Sequence, residues 1–360
     1  MRISLLDILC CPDCGTPELE LEIFSGEEGN VEDGLISCGS CESAFPVILG
    51  VPRMLPQDLR SALPETYPDW CRKFGEPVLP SVSSPSDGSR RLERATMESF
   101  GYQWNVFDDL YPEWRDDFLQ FSPPDLDPLF FNGKFGLDAG CGMGRHTRVC
   151  ASFGADVVGV DISGAVDAAR RNTRELGNVD IVQGEITRHP FREEAFDFAY
   201  SFGVLHHLTD PAEGFRALAR IPRKSGTLFI WVYSDTRNPI YAKLRLLTLH
   251  VPFWMLRAFC LVFAVSIWVT FVIPNKIVKR FQLRALEPYV KFDFYARHPF
   301  RVMHADFFDE MSAPVIHEHT DAEVRAWFAD AGYEQVETSS TGGLGWRGLG
   351  ERACAESAEN

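Results

Sequence analysis

Residues 137–144 restrict the fold more than any other part of the sequence, because three glycines alternate directly after a short apolar run. The glycines are Gly140, Gly142 and Gly144, and the acidic Asp138 lies at the end of that run. Glycine has no Cβ, so such a turn can adopt positive φ angles and bring its backbone against a ligand. An Arg-His-Thr-Arg stretch follows, which we expect to begin a helix. The pattern therefore predicts a strand, a ligand-binding turn and a helix within an α/β fold.

Two classes of α/β protein use a glycine-rich turn of this kind, and the glycine spacing separates them. A dinucleotide-binding turn has its third glycine three positions after the second, where this chain has Arg145. The form D-x-G-x-G-x-G instead resembles motif I of the class I S-adenosylmethionine-dependent methyltransferases. That resemblance implies a Rossmann-like fold with a mixed seven-stranded sheet and S-adenosyl-L-methionine as cofactor.

The next hundred residues follow the order of elements in that family. Four further apolar runs are predicted to be strands, at 155–160, 179–183, 195–201 and 226–233. Asp161 follows the first of them, and a carboxylate there can accept two hydrogen bonds from a ribose diol. In the family, an acidic residue after the third strand holds the adenine amino group, and here that residue is Glu185 rather than the more frequent Asp. The resemblance also places Ile162, Ile186 and Ser201 at the cofactor.

A short aromatic element precedes the glycine turn at 98–107. Its F-G-x-x-W form also occurs before motif I in fused methyltransferases of this sort, beside the cofactor pocket. Tyr102 and Trp104 are therefore candidates to pack over the methionine end of the cofactor, because an aromatic face attracts a sulfonium cation. The alternative is that these rings anchor the helix to the core, which we favour for Trp104.

Two adjacent histidines, His206 and His207, follow the predicted fourth strand. The methyl carbon of a sulfonium is already activated, so such an enzyme mainly aligns an in-line displacement and excludes water. A hydroxyl acceptor also needs a general base, and either histidine is a candidate. The alternative is that the pair only hydrogen-bonds to backbone. The acceptor atom stays open between oxygen, nitrogen and carbon, with oxygen favoured.

Two C-x-x-C pairs near the amino terminus carry a second chemical signal. Cys11 and Cys14 form one pair, and Cys38 and Cys41 form the other. Paired knuckles of this spacing are typical of a four-thiolate structural zinc site, which has no open position for chemistry. The surrounding sequence resembles the zinc ribbon of the small activator subunit of tRNA and protein methyltransferases. A disulfide pair, a redox site, or the adjacent Cys10 as a competing ligand are the alternatives.

The order of elements is interrupted after Tyr233. A helix is predicted at 320–332, where Thr320 is the N-cap and Glu323 completes a capping box. Strands are predicted at 333–338 and in the Gly-rich run that ends at Gly350, so residues 234–319 form an insertion. The predicted division is a zinc ribbon at 1–60, a Pro/Ser-rich linker at 61–95, a cofactor-binding core at 96–233, a helical cap insertion at 234–319 and the rest of the core at 320–360.

Within the insertion, residues 251–273 are almost wholly apolar, and basic residues follow them at Lys276, Lys279 and Arg280. The length permits a membrane span. However, the strands before and after the insertion share one sheet, so both ends lie on the same side of any membrane. Three arrangements of this segment remain: a buried or oligomeric cap helix, a re-entrant hairpin, and a helix that lies on the bilayer. We favour a hydrophobic cap over the acceptor site that also contacts membranes peripherally.

The net charge and the cysteine content restrict the partners and the cellular location that the sequence predicts. The formal net charge is −16, from 35 basic and 51 acidic residues, which opposes binding to a phosphate backbone, so no nucleic-acid substrate is expected. The six cysteines outside the C-x-x-C pairs have no paired spacing and suit a reducing cytoplasm. The predicted location is therefore cytoplasmic, with contact at the inner membrane face.

Together these features predict a methyltransferase that acts on a small or lipid-like acceptor, such as a lipid-linked or quinone-like molecule. A sugar or a secondary-metabolite intermediate is the polar alternative. A non-catalytic cofactor-binding scaffold, or an activator of a partner methyltransferase, is the main functional alternative. An NAD-dependent oxidoreductase is the second. The intact set of Asp138, Asp161 and Glu185 around the three glycines argues against an inactive domain.

Overall fold

The computed structural model describes residues 1–27, 29–60, 63–75, 88–235, 244–245 and 247–354, and its first unit is a small antiparallel sheet. The sheet contains β1 (Leu19–Glu27), β2 (Asn30–Cys38), β3 (Ala44–Ile48) and β4 (Val51–Pro52), paired in chain order. A 3-10 helix at Ile3–Ile8 precedes the sheet, and the short helices α1 (Gln57–Arg60), α2 (Leu63–Thr66) and α3 (Pro68–Phe74) follow it. This unit agrees with the predicted ribbon.

A mixed seven-stranded sheet forms the second unit. Its strands are β5 (Phe135–Ala139), β6 (Asp156–Asp161), β7 (Val179–Gln183), β8 (Phe196–Phe202), β9 (Pro222–Tyr233), β10 (Tyr333–Ser340) and β11 (Gly345–Arg352). They lie in the order β10-β11-β9-β8-β5-β6-β7, and β11 runs in the opposite direction to the other six. The predicted Rossmann-like fold class is therefore confirmed. All of its strands agree with the sequence prediction to within a few residues.

Helices cover both faces of this sheet, which explains why its parallel strands are apolar almost without interruption. The helices are α4 (Gly88–Val106), α5 (Trp114–Phe121), α6 (Arg145–Ser152), α7 (Val166–Thr173), α8 (Pro211–Leu218), α9 (Phe253–Ile267), α10 (Ile273–Arg280), α11 (Asp293–Arg297), α12 (Phe300–Ser312) and α13 (Asp321–Asp330), with 3-10 turns at Pro128–Phe131, Leu205–His207 and Arg284–Tyr289. On one face, Phe118 packs edge to face against Phe202, and Phe198 stacks on Phe229.

The helix ends follow local side-chain chemistry. α13 begins at the predicted capping box, where the Thr320 hydroxyl accepts from the Glu323 amide at 3.2 Å and the Glu323 carboxylate accepts from the Thr320 amide at 2.8 Å. α8 begins at Pro211, because the Asp210 carboxylate caps the Glu213 amide at 2.9 Å. Both starts satisfy amide donors that the first turn of a helix leaves unpaired.

The small sheet is built into the large one rather than tethered to it. Arg53, just after β4, forms a parallel bridge with Gln183 on β7, the edge strand of the large sheet. Arg2 pairs with Asp180 at 2.6 Å, and Leu9 bridges to Phe191. Buried apolar residues from both units form one continuous cluster. The ribbon therefore covers the β7 edge, which would otherwise present unpaired backbone groups.

The segment predicted as a linker, 61–95, contains regular structure where the structure describes it. α2 and α3 lie within it, and α4 begins at Gly88. Trp70 and Phe74 of α3 pack against Phe24 on β1, which anchors this part of the chain to the ribbon. The Pro/Ser-rich stretch itself falls mainly on 76–87, outside the described residues, and the domain boundaries stay predictions.

The insertion leaves and returns to the sheet at one place. Ser234 and His319 form a parallel bridge at the end of β9. Between them, α9, a π-helical turn at Trp268–Val272 and α10 make one continuous helix over Phe253–Arg280. Pro274 explains the π turn, because proline cannot donate the amide hydrogen bond that would continue the α-helix. Residues 236–243 and 246 of the insertion lie outside the described part.

Candidate cofactor and acceptor site

The glycine turn between β5 and α6 adopts the backbone conformations that its sequence predicts. Gly140, Gly142 and Gly144 have φ angles of +88°, +52° and +82°. A Cβ on Gly140 would lie 2.2 Å from a Val204 methyl group, so no side chain fits there. The Gly140 amide donates to the Val160 carbonyl at 2.7 Å, which ties the turn to the end of β6. The turn thus presents bare backbone to the space above the sheet.

Asp138 lies beneath this turn and supports it. Its carboxylate is buried and accepts a hydrogen bond from the Thr147 hydroxyl at 2.6 Å. Burial, only partly offset by this hydrogen bond, raises the pKa of Asp138 to about 7. Asp138 is not among the residues that line the cavity described below. Its contacts within the structure are therefore those of a residue that holds β5 against α6.

Asp161, the predicted ribose acceptor, is held in place by its own neighbourhood. One carboxylate oxygen accepts from the Gly142 amide at 2.9 Å, and the other accepts from the Ser163 amide at 2.9 Å and its hydroxyl at 2.6 Å. Burial raises the pKa of this carboxyl group above its ordinary range. A carboxylate offers about four lone pairs, so three protein bonds leave room for a ligand hydroxyl. Asp161 and Ile162 both line the cavity.

Glu185, the predicted adenine contact, belongs to a charged network that reaches the ribbon. Its carboxylate pairs with Arg188 at 3.0 Å and Arg90 at 3.4 Å, and it accepts a short hydrogen bond from Thr187. Arg188 and Arg90 also pair with Asp58 of α1, at 2.8 and 2.9 Å. Glu185 and Ile186 line the cavity. The adenine end of the site is thus connected by ion pairs to the ribbon unit.

One cavity of about 650 Å³ extends from the glycine turn to the insertion. At the cofactor end it is lined by the glycine turn, Asp161 and Glu185. The rest of its lining includes aromatic rings, among them Trp114, Phe121, Trp231, Tyr233 and Phe292, and the polar side chains of Asp117, Asp306 and Asp309. Arg145 and His146 also line the cavity, and they directly follow the glycine turn. This space and the bare glycine turn fit a nucleoside cofactor and an adjoining acceptor.

Tyr102 and Trp104 occupy positions opposite to those we favoured. Tyr102 packs on Phe253 and Phe308 of the insertion, at ring distances of 5.1 and 5.6 Å, and does not line the cavity. Trp104 does line it, with its indole against Gly142. Two residues that are two positions apart on a helix point to different faces, so both rings could not have covered one ligand.

Ser201, another predicted cofactor contact, lies in the core of the sheet. It is fully buried, and its hydroxyl donates to the Ala139 carbonyl at 2.9 Å. It does not line the cavity. Successive side chains of a strand point to opposite faces, and Ser201 faces neighbouring strand β5 rather than the end of the sheet.

The two candidate histidines lie in different environments. His206 is fully buried, stacks on Tyr233 at 3.8 Å, and its Nδ1 accepts from the Tyr233 amide at 3.2 Å. It does not line the cavity, whereas His207 does. His207 Nδ1 lies 2.8 Å from the Val315 carbonyl. Since a carbonyl only accepts, Nδ1 carries the proton and the ring orientation is defined.

Several polar cavity residues were missed by sequence reasoning. Arg145 and His146 follow the third glycine directly, and their closeness to motif I is the signal that could have identified them. Asp306 comes from α12, inside an insertion that has no recognisable motif. Its place in the site depends on how the insertion folds back.

The apolar segment 251–273 does not line the cavity. The lining residues from the insertion belong to 292–295 and 302–310, and α9 packs outside them against α12. The expectation that this segment caps the acceptor site is therefore corrected: α11, α12 and the turn before α11 form the cap. Composition alone could not separate an inner from an outer layer of apolar helices.

The four predicted zinc ligands meet in space. The Sγ atoms of Cys11, Cys14, Cys38 and Cys41 all lie within 4.8 Å of one another, and two of the pairs are 3.6 Å apart. Zinc–sulfur bonds of about 2.3 Å give a tetrahedral edge of about 3.8 Å, so the cluster fits zinc. Cys10 lies outside the group, with its Sγ 3.9 Å from the His189 carbonyl. The site is a structural zinc site.

Comparisons with known proteins agree with this geometry. Residues 137–230 match the methyltransferase-domain family, and residues 2–50 match the Trm112p-like protein family. The fold and the site therefore define a class I S-adenosylmethionine-dependent methyltransferase domain. The chain joins that domain to an amino-terminal zinc ribbon of the Trm112p-like type, and its cofactors are S-adenosyl-L-methionine and a structural zinc ion.

Curated relatives cover part of the chain. It is 32% identical over 146 residues to a ubiquinone biosynthesis O-methyltransferase of Pseudomonas paraeruginosa, and 33% identical over 148 residues to that of Marinobacter nauticus. Each match covers 37% of this chain and 62% or 61% of the relative. The chain thus spans about three fifths of the length of these relatives.

Solved structures resemble the chain more distantly. The Haloferax volcanii complex of the Trm112 methyltransferase activator with a putative methyltransferase has 15% identity, covering 73% of this chain and 98% of that chain, with a TM-score of 0.43. A 1,6-didemethyltoxoflavin-N1-methyltransferase of Burkholderia thailandensis has 13% identity, covering 76% and 94%, with a TM-score of 0.44.

Proposed function

We propose that this protein transfers the methyl group of S-adenosyl-L-methionine to a small or lipid-like acceptor, with oxygen as the favoured acceptor atom. The observation that carries the proposal is the cavity that joins the glycine turn to an end lined by aromatic rings and by α12. Exclusion of water by such an end favours transfer to the acceptor over side reactions. The similarity to ubiquinone biosynthesis O-methyltransferases supports an oxygen acceptor.

When bound, the cofactor supplies an activated methyl carbon, so the chain's own residues need to position the acceptor and remove its proton. We assign the base to His207 rather than His206, because only His207 lines the cavity. Its Nδ1–H is directed to the Val315 carbonyl, which leaves Nε2 as the basic nitrogen of the neutral ring. A positioned general base contributes about 10²- to 10⁴-fold to a rate.

The test is methyl transfer from labelled cofactor to fractions of a cell extract, with the lipid fraction kept separate. A labelled product in one fraction identifies the acceptor class. His207→Asn retains an amide that can donate to the Val315 carbonyl but removes the base, so we expect a loss of turnover with unchanged affinity for S-adenosylhomocysteine. Cofactor binding with no labelled product in any fraction would instead favour the scaffold alternative.

We further propose that the protein contacts membranes peripherally through the helix Phe253–Arg280. This helix of 28 residues has a mean hydropathy of 2.3 over its most apolar window, of which 22% is buried. Trp254 and Val262 are 66% and 68% exposed, and such apolar surfaces usually bind protein or lipid. The two ends of the insertion meet at Ser234 and His319, which opposes a single crossing.

Flotation with liposomes tests this contact. Trp254→Ser combined with Val262→Ser should reduce binding to anionic liposomes, because both side chains lie on the exposed face. Leu129→Ser is the matched control, since Leu129 is 79% exposed but lies on the 3-10 turn at Pro128–Phe131. Equal flotation of the double variant and the control would contradict the membrane contact and leave methyl transfer unaffected.

A further inference from the structure

Arg145, the first residue of α6, is held in an aromatic cage with its charge toward the cavity. Its guanidinium lies 4.8 Å from the ring centre of Trp104 and 4.6 Å from that of Trp114. Arg145 also lines the cavity. Within the described ranges it makes no hydrogen bond and no ion pair, although its five N–H groups are strong donors. The cage thus orients a cation whose donors remain available to a ligand.

An acidic residue of the insertion faces the same space. Asp306 of α12 lines the cavity and receives a hydrogen bond from Tyr295. Burial raises the pKa of Asp306 to about 7, although the nearby charge of Arg145 lowers it, and no ion pair joins the two side chains. An arginine and an ionisable carboxyl group that share a cavity without pairing can bind a ligand that carries both signs, because a cationic group of the ligand favours the ionised carboxylate.

We propose that Arg145 and Asp306 bind the α-carboxylate and the α-ammonium group at the amino-acid end of the cofactor. This inference rests on the proposed function. The planar guanidinium matches a carboxylate with two parallel hydrogen bonds, and the carboxylate of Asp306 pairs with the ammonium group. Because Asp306 belongs to α12, cofactor binding and the position of the cap become coupled.

The position of the cage favours the cofactor over an acidic acceptor as the ligand. Arg145 directly follows Gly144, and the indole of Trp104 packs on Gly142, where a Cβ would lie 3.3 Å from its nitrogen. The cage therefore stands against the turn that carries the cofactor. An acceptor bound only at the aromatic end would have no reason to be recognised from this turn.

Isothermal titration of the full-length zinc-loaded protein with two ligands tests the assignment. S-adenosylhomocysteine has the amino-acid end, and 5′-methylthioadenosine lacks it. Arg145→Gln should weaken S-adenosylhomocysteine binding by about 10- to 100-fold, as expected for loss of charge-assisted hydrogen bonds. Binding of 5′-methylthioadenosine should change less than about twofold, since no charged contact is lost. Asp306→Asn should also weaken S-adenosylhomocysteine binding selectively, but by a smaller factor than Arg145→Gln. Arg145→Lys should weaken it by an intermediate factor.

Arg148→Gln is the matched control, because Arg148 lies one turn further along α6 and pairs with Glu175 outside the cavity. It should bind both ligands like the wild type. Unchanged S-adenosylhomocysteine affinity in Arg145→Gln would overturn the proposal, and with a raised KM for the acceptor it would assign the charge to the acceptor. Equal weakening of both ligands would also overturn it, because the variant would then act through the adenosine site or the fold. Failure of the wild type to bind S-adenosylhomocysteine would instead overturn the proposed function.

Discussion

Arg53 forms a buried contact between the ribbon and the methyltransferase domain, and its replacement should destabilise both units. Its side chain is 0% exposed and pairs with Asp167 of α7 at 2.7 Å. It also lies 4.6 Å from the ring centre of Tyr67. Removing one partner of a buried ion pair costs about 3–5 kcal/mol. Asp167 is 27% exposed and keeps a hydrogen bond from the Tyr67 hydroxyl, so we expect Arg53→Met to cost about 2–4 kcal/mol.

Urea unfolding followed by tryptophan fluorescence, with zinc release measured by a chelating dye, tests this expectation. Because the two units share one apolar core, zinc release and loss of fluorescence should shift together to lower urea. Arg72→Met is the control, since Arg72 and Asp69 form an exposed pair that should contribute less than about 1 kcal/mol. If the urea midpoint of Arg53→Met shifts no more than that of the control, Arg53 does not form a stabilising buried contact between the two units.

Three further outcomes are expected. Gly140→Ala should abolish S-adenosylhomocysteine binding measured by calorimetry, because φ is +88° and the added Cβ would meet a valine methyl group at 2.2 Å. Cys14→Ser combined with Cys41→Ser should remove the zinc ion found by metal analysis and unfold the ribbon, because the metal holds its two cysteine turns together. Burial opposes charge on His298, but the hydrogen bond to Asp117 prevails and raises the pKa of the histidine. Its stabilisation should therefore be complete below about pH 6.5 and decline as pH rises through the raised value, and His298→Asn should flatten this slope in thermal unfolding.

Each of these outcomes has a result that would contradict it. Normal cofactor binding by the alanine variant would mean that the turn can move away from its neighbour. A folded ribbon without zinc would mean that the shared core holds it unaided. An unchanged pH slope in the histidine variant would mean that the buried pair does not titrate with folding.

Local signals in the sequence were sufficient for the elements whose conformation depends on adjacent residues. The three glycines specify positive φ angles, Thr320 and Glu323 specify a helix start, and the paired cysteines specify two turns that can share a metal. In each case the interacting groups are close in sequence or their chemistry has one common use. The mixed seven-stranded sheet followed from resemblance, and the observed sheet agrees with it.

The direction of side chains was decided by packing between distant segments. Tyr102 and Trp104 are equally aromatic, and only the insertion against α4 determines which of them reaches the cavity. Ser201 lies near the end of a suitable strand, yet its hydroxyl donates a hydrogen bond to the neighbouring strand. His206 and His207 are adjacent in the sequence, and the stacking of His206 on Tyr233 directs only His207 to the site.

The sequence by itself thus determined the type of domain, its cofactor turn and its metal ligands, because backbone conformation at these places is dictated by residues within a few positions of one another. Only the tertiary structure decided that α12, rather than the more apolar helix outside it, lines the cavity and brings Asp306 toward Arg145. The sequence shows that an apolar segment must be buried, but which residues bury it depends on contacts between segments that are more than a hundred residues apart.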